Sequence, residues 1–227
     1  RRSPARPIRF KSDPPTGPTR TVGMETGRMT RQADGRFGAI DVHYPPGGGA
    51  HAALVIADDP RFAHTVDQRV CWLPEAAPYR PGRFFERELP PMLAVLATAG
   101  PLDLVVIDGY VHLDPNGRPG LGAHLYARIA TPVIGVAKSA FHTATHAIPV
   151  RRGAAVRPLY VTAAGIPIDQ AAKLVEQMAG RYRLPDALRA VDALARAGVR
   201  RGTEAVGACA CASQRGESGP PEAYRLR

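Results

Sequence analysis

Three carboxylates stand out by where they fall in the chain. Asp41 sits inside a strand-like run between Ile40 and Val42, where a lone ionised group is costly unless it is paired or coordinated. Asp108 closes the most apolar run, Leu104-Val105-Val106-Ile107, and precedes Gly109. It therefore projects from the carboxyl edge of a sheet, where open α/β folds bind ligands. Glu88 lies between the two on a segment with helical spacing. If the two strands are neighbours, their carboxylates converge and Glu88 adds a third oxygen from the sheet face. Three oxygen donors with few nitrogen or sulfur ligands nearby favour a hard cation, Mg²⁺ or Mn²⁺, over zinc. Such centres activate water and stabilise charge on phosphoryl oxygens. Each residue alone also has a plain structural reading, since Asp before Gly is a common turn former and Glu88 suits a solvated helix face.

The elements that must position these groups follow from periodicity. Gly38 to Tyr44 reads as a strand ended by the turn Pro45-Pro46-Gly47-Gly48-Gly49, which is no phosphate-binding loop because no G-K-[ST] follows. Runs at 51–57 and 62–73 complete an antiparallel meander. From Phe84 through Ala97 the residues Phe85, Leu89, Met92, Leu93 and Leu96 recur at helical spacing, with Pro90 and Pro91 predicting a break or kink. The run at 104–108 reads as a strand buried on both faces. A helix at 122–129, strands at 133–137 and 157–162, and helices at 168–179 and 185–197 follow. The predicted fold class is α/β: a mixed sheet of five or six strands, three antiparallel and then parallel β-α-β, flanked by helices.

Composition bounds the rest. The chain has 227 residues, 44% of them hydrophobic, which suits one domain, taken as residues 37–197. No apolar run reaches the roughly 18 residues of a membrane span, and the Arg-rich start has no secretory h-region, so a cytoplasmic location without membrane contact is expected. The formal charge of +10 is concentrated at the ends, with nine basic and three acidic residues in 1–36 and six and three in 196–227. Residues 1–36 and 198–227, rich in Arg, Pro, Gly and Ser, read as disordered tails, so the charge says little about a partner. Cys71, Cys209 and Cys211 read as reduced thiols, outside any disulfide framework or zinc site, of a reducing compartment. Arg151, Arg152 and Arg157 suit either a phosphate track or a solvated loop.

Taken in order, several short motifs resemble those of the endonuclease V family. They are Ile40-Asp41-Val42-His43-Tyr44, Pro78-Tyr79-Arg80-Pro81-Gly82 running into Phe85-Glu86-Arg87-Glu88-Leu89-Pro90, and Val106-Ile107-Asp108-Gly109. Gly122-Ala123-His124-Leu125, Ile134-Gly135-Val136-Ala137-Lys138 and Tyr182-Arg183-Leu184-Pro185 continue the series. The resemblance implies a ribonuclease H-like fold and Mg²⁺-dependent hydrolysis of DNA near deaminated bases, at the second phosphodiester 3′ to deoxyinosine, as in DNA repair. It implies that Asp41, Asp108 and Glu88 hold the metal and that Lys138 contacts phosphate or organises the nucleophile. Tyr79, within Pro78, Pro81 and Gly82, corresponds to the aromatic wedge that inserts at the lesion. Gly109, Leu121, Gly135 and Ala137 would line the pocket for the flipped base. A monomer is expected.

Departures from the pattern keep other readings open. The family's D-G-x-G reads Asp108-Gly109-Tyr110-Val111 here, and Asp114 stands where a His is usual, with His112 nearby. A usual G-H pair is replaced by Ala164-Gly165-Ile166, with Asp169 or Asp192 as carboxylates in the following helices. The family's N-terminal helix is replaced by a proline-rich lead. Cleavage of inosine-containing RNA and a catalytically weak nucleic-acid-binding relative are the alternatives.

Overall fold

The computed structural model describes residues 35–198, so nearly all of both tails, with Cys209 and Cys211, lies outside the described residues. Seven strands, β1 (Phe37–His43), β2 (Ala50–Ala57), β3 (Thr65–Leu73), β4 (Leu104–Asp108), β5 (Val133–Ala137), β6 (Ile148–Val150) and β7 (Leu159–Ala164), form one sheet. Four helices accompany it: α1 (Phe84–Leu96), α2 (Leu121–Ile129), α3 (Ile168–Gln177) and α4 (Asp186–Ala197). The strand order is β3-β2-β1-β4-β5-β7-β6. β1, β2 and β3 are the expected antiparallel meander, and β1, β4 and β5 run parallel through the centre. β7 returns antiparallel to β5 and carries β6 at the edge. β6 is the strand that periodicity did not predict. It is three residues long and contains Pro149, which lacks an N–H and is tolerated at a sheet edge.

Alternation along the central strands divides the core in two. Leu104 and Val106 of β4 face α3 and α4, whereas Val105 and Ile107 face α1 and α2. In β1, Ala39 joins the first cluster and Ile40 the second. Asp41 therefore continues the Ala39 row toward α4, because side chains two apart share a sheet face. No described helix is long and apolar enough to cross a membrane.

α1 corrects an expectation. Of the break or kink expected at Pro90 and Pro91, the break does not occur, and one helix runs from Phe84 to Leu96 with both prolines inside it. A proline four residues on leaves a helical carbonyl without its donor. For Pro91 that carbonyl belongs to Arg87, and the Tyr44 hydroxyl donates to it across 2.9 Å. Part of the backbone cost of the proline pair is thus met from the segment following β1.

Candidate functional site

The parallel pairing of β1 with β4 sets Ile40 opposite Ile107, so the next residue on each strand, Asp41 and Asp108, emerges at the same carboxyl edge. α1 brings Glu88 over that edge. All three carboxylates line one pocket of about 290 Å³, together with Ile40, Met92 and Leu121. Lys138, immediately after β5, forms an ion pair with Asp108. Burial works against the lysine's charge, but the hydrogen bond and charge of Asp108 outweigh it and raise its pKa.

Negative charge at this edge is crowded and poorly solvated. Burial pushes the Asp41 carboxyl up to about 6, and Asp108 and Asp192 push the same way against the Val42 backbone and Lys138. Burial likewise raises Glu88 to about 7, reinforced by Asp41 and opposed by the Tyr44 hydroxyl and Arg87. An all-oxygen donor set in which each charge disfavours its neighbours fits a hard divalent cation. The ligand atoms of Asp41, Glu88 and Asp108 are less tightly drawn together than those of Asp58, Asp59 and His64. That group is the one among the described residues with ligand atoms within 4.8 Å of one another. It lies on the β2–β3 connection, where the Asp59 oxygens already accept from the backbone N–H groups of Arg61 and Ala63 at 2.8 and 2.9 Å. It reads as a turn.

A fourth carboxylate arrives from α4. Asp192 stands close enough to Asp41 for its charge to push the Asp41 pKa up, and its own pKa is lowered chiefly by its hydrogen bond with the Arg196 guanidinium, 3.0 Å away. In the sequence a helix cap or a solvated helix face is the favoured reading of Asp169 and Asp192, and only the packing of α4 on β1 brings Asp192 to the site. The Ala164-Gly165-Ile166 stretch brings no imidazole, so Asp192 is the polar group the structure adds near Asp41.

Glu88 is held by its surroundings. The Tyr44 hydroxyl, which donates to the Arg87 carbonyl, stands beside the Glu88 carboxyl and opposes the rise of its pKa, and the Arg87 guanidinium lies 3.7 Å over the tyrosine ring. The residue just after β1 thereby grips the helical turn that carries Glu88.

Tyr79 is 60% exposed and meets Phe84 edge-on with ring centroids 6.2 Å apart. The tight turn behind it is closed by Arg83 N–H donating to the Arg80 carbonyl at 3.0 Å. Pro81 takes the second position and Gly82 the third at φ +76°, as a type II turn requires. Pro78, Pro81 and Gly82 are exposed beside it.

The residues expected to line a base pocket separate into two groups. Gly109 and Leu121 are partly exposed at the mouth of the site. Gly135 and Ala137 are buried in β5 instead. A Cβ on Gly135 would stand 2.6 Å from the Gly109 carbonyl and 2.9 Å from the Thr162 hydroxyl, so this glycine leaves room for the loop after β4 to lie on the sheet. The buried Thr162 hydroxyl fixes that loop by accepting the Val111 N–H at 2.8 Å. Val111 is fully buried and packs toward Gly122, so it does not crowd the site. His112 and His146 lie near one another, and residues 142–146 form turns. The Asp114 carboxylate accepts from the N–H groups of Asn116 and Arg118 in its own loop.

Lys138 is buttressed from behind. Arg183 donates to the Lys138 carbonyl and to that of Pro158. Arg152 is no phosphate track. It is 4% exposed, and its guanidinium donates to carbonyls of the 176–183 segment, among them Tyr182 at 2.9 Å and Gly180 at 3.0 Å. It closes the carbonyl end of α3, which would otherwise lack donors. Arg151 and Arg157 remain exposed.

Comparison with known proteins follows the same residues. The family model of endonuclease V matches residues 25–160, beginning inside the proline-rich lead. The endonuclease V of Azotobacter vinelandii is 32% identical over 195 residues, covering 74% of this chain and 87% of that protein. The crystal structure of endonuclease V from Streptomyces avermitilis superposes with a TM-score of 0.61 at 28% identity, over 72% of this chain and 80% of that one. A Ciona intestinalis endonuclease V, solved with a 23mer DNA containing an inosine followed by a ribo-adenosine, gives a TM-score of 0.61 at 20% identity. That match covers 71% of this chain and 84% of the other, and shares the fold.

Proposed function

This chain belongs to the endonuclease V family and has its ribonuclease H-like fold, and we propose that it is a divalent-cation-dependent nuclease that nicks DNA near deaminated bases. The bond cut is the second phosphodiester 3′ to deoxyinosine, and the role is DNA repair. The catalytic domain is residues 37–197, working as a cytoplasmic monomer. What carries the reading is that carboxylates from β1, α1 and β4, namely Asp41, Glu88 and Asp108, line one pocket with Lys138 at its edge.

Asp41, Asp108 and Glu88 would hold Mg²⁺, or Mn²⁺ in its place, with Asp192 beside Asp41. Bound there, the cation supplies a Lewis acid to phosphoryl oxygens and lowers the pKa of water. The chain's own groups do the rest. Lys138, charged and tied to Asp108, is placed to meet a phosphate or to order the attacking water. Tyr79 is free to enter the duplex and replace the stacking lost when a base turns out. Gly109 and Leu121 offer the mouth of a pocket for that base, with the loop backbone supplying hydrogen-bonding groups.

The deciding experiment incubates the protein with labelled strands carrying one deoxyinosine or one inosine, with Mg²⁺ or with chelator. Nicking of the DNA only, lost with chelator and in Asp41→Ala and Asp108→Ala, is expected. Nicking of RNA only supports the inosine-RNA reading, and binding without a nick under any metal supports a catalytically weak relative.

A further inference from the structure

α4 buries Ala187, Leu188, Val191 and Ala195 against the sheet. After Asp186 its remaining charged residues are Arg189, Asp192 and Arg196, spaced i, i+3, i+7, which aligns them in one row along the helix. The exposed positions off that row, Ala190, Ala193 and Ala197, are all alanine. A face built only for solvation would spread its charge, whereas this one confines it to a single line. The middle of the line is Asp192, close enough to Asp41 and Lys138 to interact electrostatically with both, so the row passes beside Asp41 with one arginine about a turn to each side. Seven residues at 1.5 Å rise separate the two arginines by about 10 Å along the axis, and their long arms can span two phosphate steps of a strand.

Resting on the nuclease reading above, we propose that Arg189 and Arg196 grip the substrate strand through the phosphates on either side of the one cleaved, with Asp192 between them. Both side chains are free enough to do so, at 52% and 62% exposed. Their carboxylate partners, Asp186 at 3.3 Å and Asp192 at 3.0 Å, form surface pairs of the weak kind that yield readily to another anion. Each guanidinium has five donors, so a carboxylate and a phosphate can be served together. Arg189 is also held over the Tyr182 ring at 4.7 Å, with Arg181 on the same ring at 4.9 Å, which extends the cationic ledge at that end. The occupant is a polyanionic strand, because two cations flanking a phosphodiester-cleaving centre match the charge of its neighbouring phosphates.

Counterion release provides the test. Binding of a fluorescent deoxyinosine-containing single strand is measured in chelator by anisotropy between about 50 and 200 mM KCl, a range over which each phosphate contact is legible. Arg189→Gln and Arg196→Gln should each reduce the magnitude of the slope of log K against log salt by about 0.7, and the double variant by about 1.4. The double lysine variant should keep the wild-type slope, as should Arg128→Gln, a charge removed at the far end of α2. An unchanged slope in the double glutamine variant, or an equal loss in the double lysine variant, overturns the proposal. If the wild type nicks deoxyinosine DNA while the double glutamine variant keeps its slope, only the phosphate grip falls. If the wild type neither binds nor nicks any strand, the nuclease reading falls with it.

Discussion

The Tyr44 hydroxyl donates across 2.9 Å to the Arg87 carbonyl, the group that Pro91 leaves without a helical donor. One phenol thus repairs the proline defect in α1 and anchors the turn bearing Glu88. Tyr44→Phe keeps the ring and the stacked Arg87 but strands a carbonyl, at a cost of about 1–3 kcal/mol. A fall in Tm of several degrees is expected, together with slower nicking. In a Pro91→Ala background, where an N–H returns to the helix, the same substitution should cost less. Equal costs in the two backgrounds, read from thermal denaturation, would show that the proline and the phenol are independent.

Asp41 and Glu88 carry pKa values raised to about 6 and about 7 from 3.8 and 4.5. Raised carboxyls bind more protons in the folded state than in the unfolded one between those limits. Their contribution to stability is therefore complete below about pH 4 and lost as pH rises to about 7, amounting to a few kcal/mol for the pair. In chelator the wild type should lose stability from pH 5 to pH 8 relative to an Asp41→Asn, Glu88→Gln variant, and Mg²⁺ should raise Tm more at pH 8 than at pH 5. A relative gain with rising pH would contradict the burial of these two groups.

Tyr79→Ala should weaken binding to a deoxyinosine duplex, measured in chelator, by about 5- to 150-fold, the equivalent of 1–3 kcal/mol of stacking. Binding to an undamaged duplex should change far less. Loss of the same size on both would remove the wedge assignment.

Gly135→Ala separates a packing role from a base-contacting one. A Cβ 2.6 Å from the Gly109 carbonyl must displace the loop, so a loss of about 1–3 kcal/mol in stability is expected along with impaired nicking of every substrate. A variant of wild-type Tm with altered lesion preference would instead put Gly135 at the base.

Local pattern carried much of this molecule. The meander, the doubly buried β4 and the helices at 168–177 and 186–197 are written in hydrophobic spacing, because burying one face or both imposes a period that survives in a single chain. Asp41, Glu88 and Asp108 stand out for a similar reason, since each sits within or at the end of an element whose type is locally set, whereas Lys138 is singled out by the series of motifs alone. Tertiary packing decided the rest. Pro90 and Pro91 argue locally for a break or kink, and part of the cost of the unbroken helix is met by a hydroxyl from 43 positions upstream. Asp192 and a solvated aspartate look alike until α4 is laid beside Asp41, and Gly135 could face a ligand or a loop until the loop is placed on it. Whether a polar group acts or merely dissolves depends on what stands opposite it across the fold, and that partner lies too far along the chain for any local period to record.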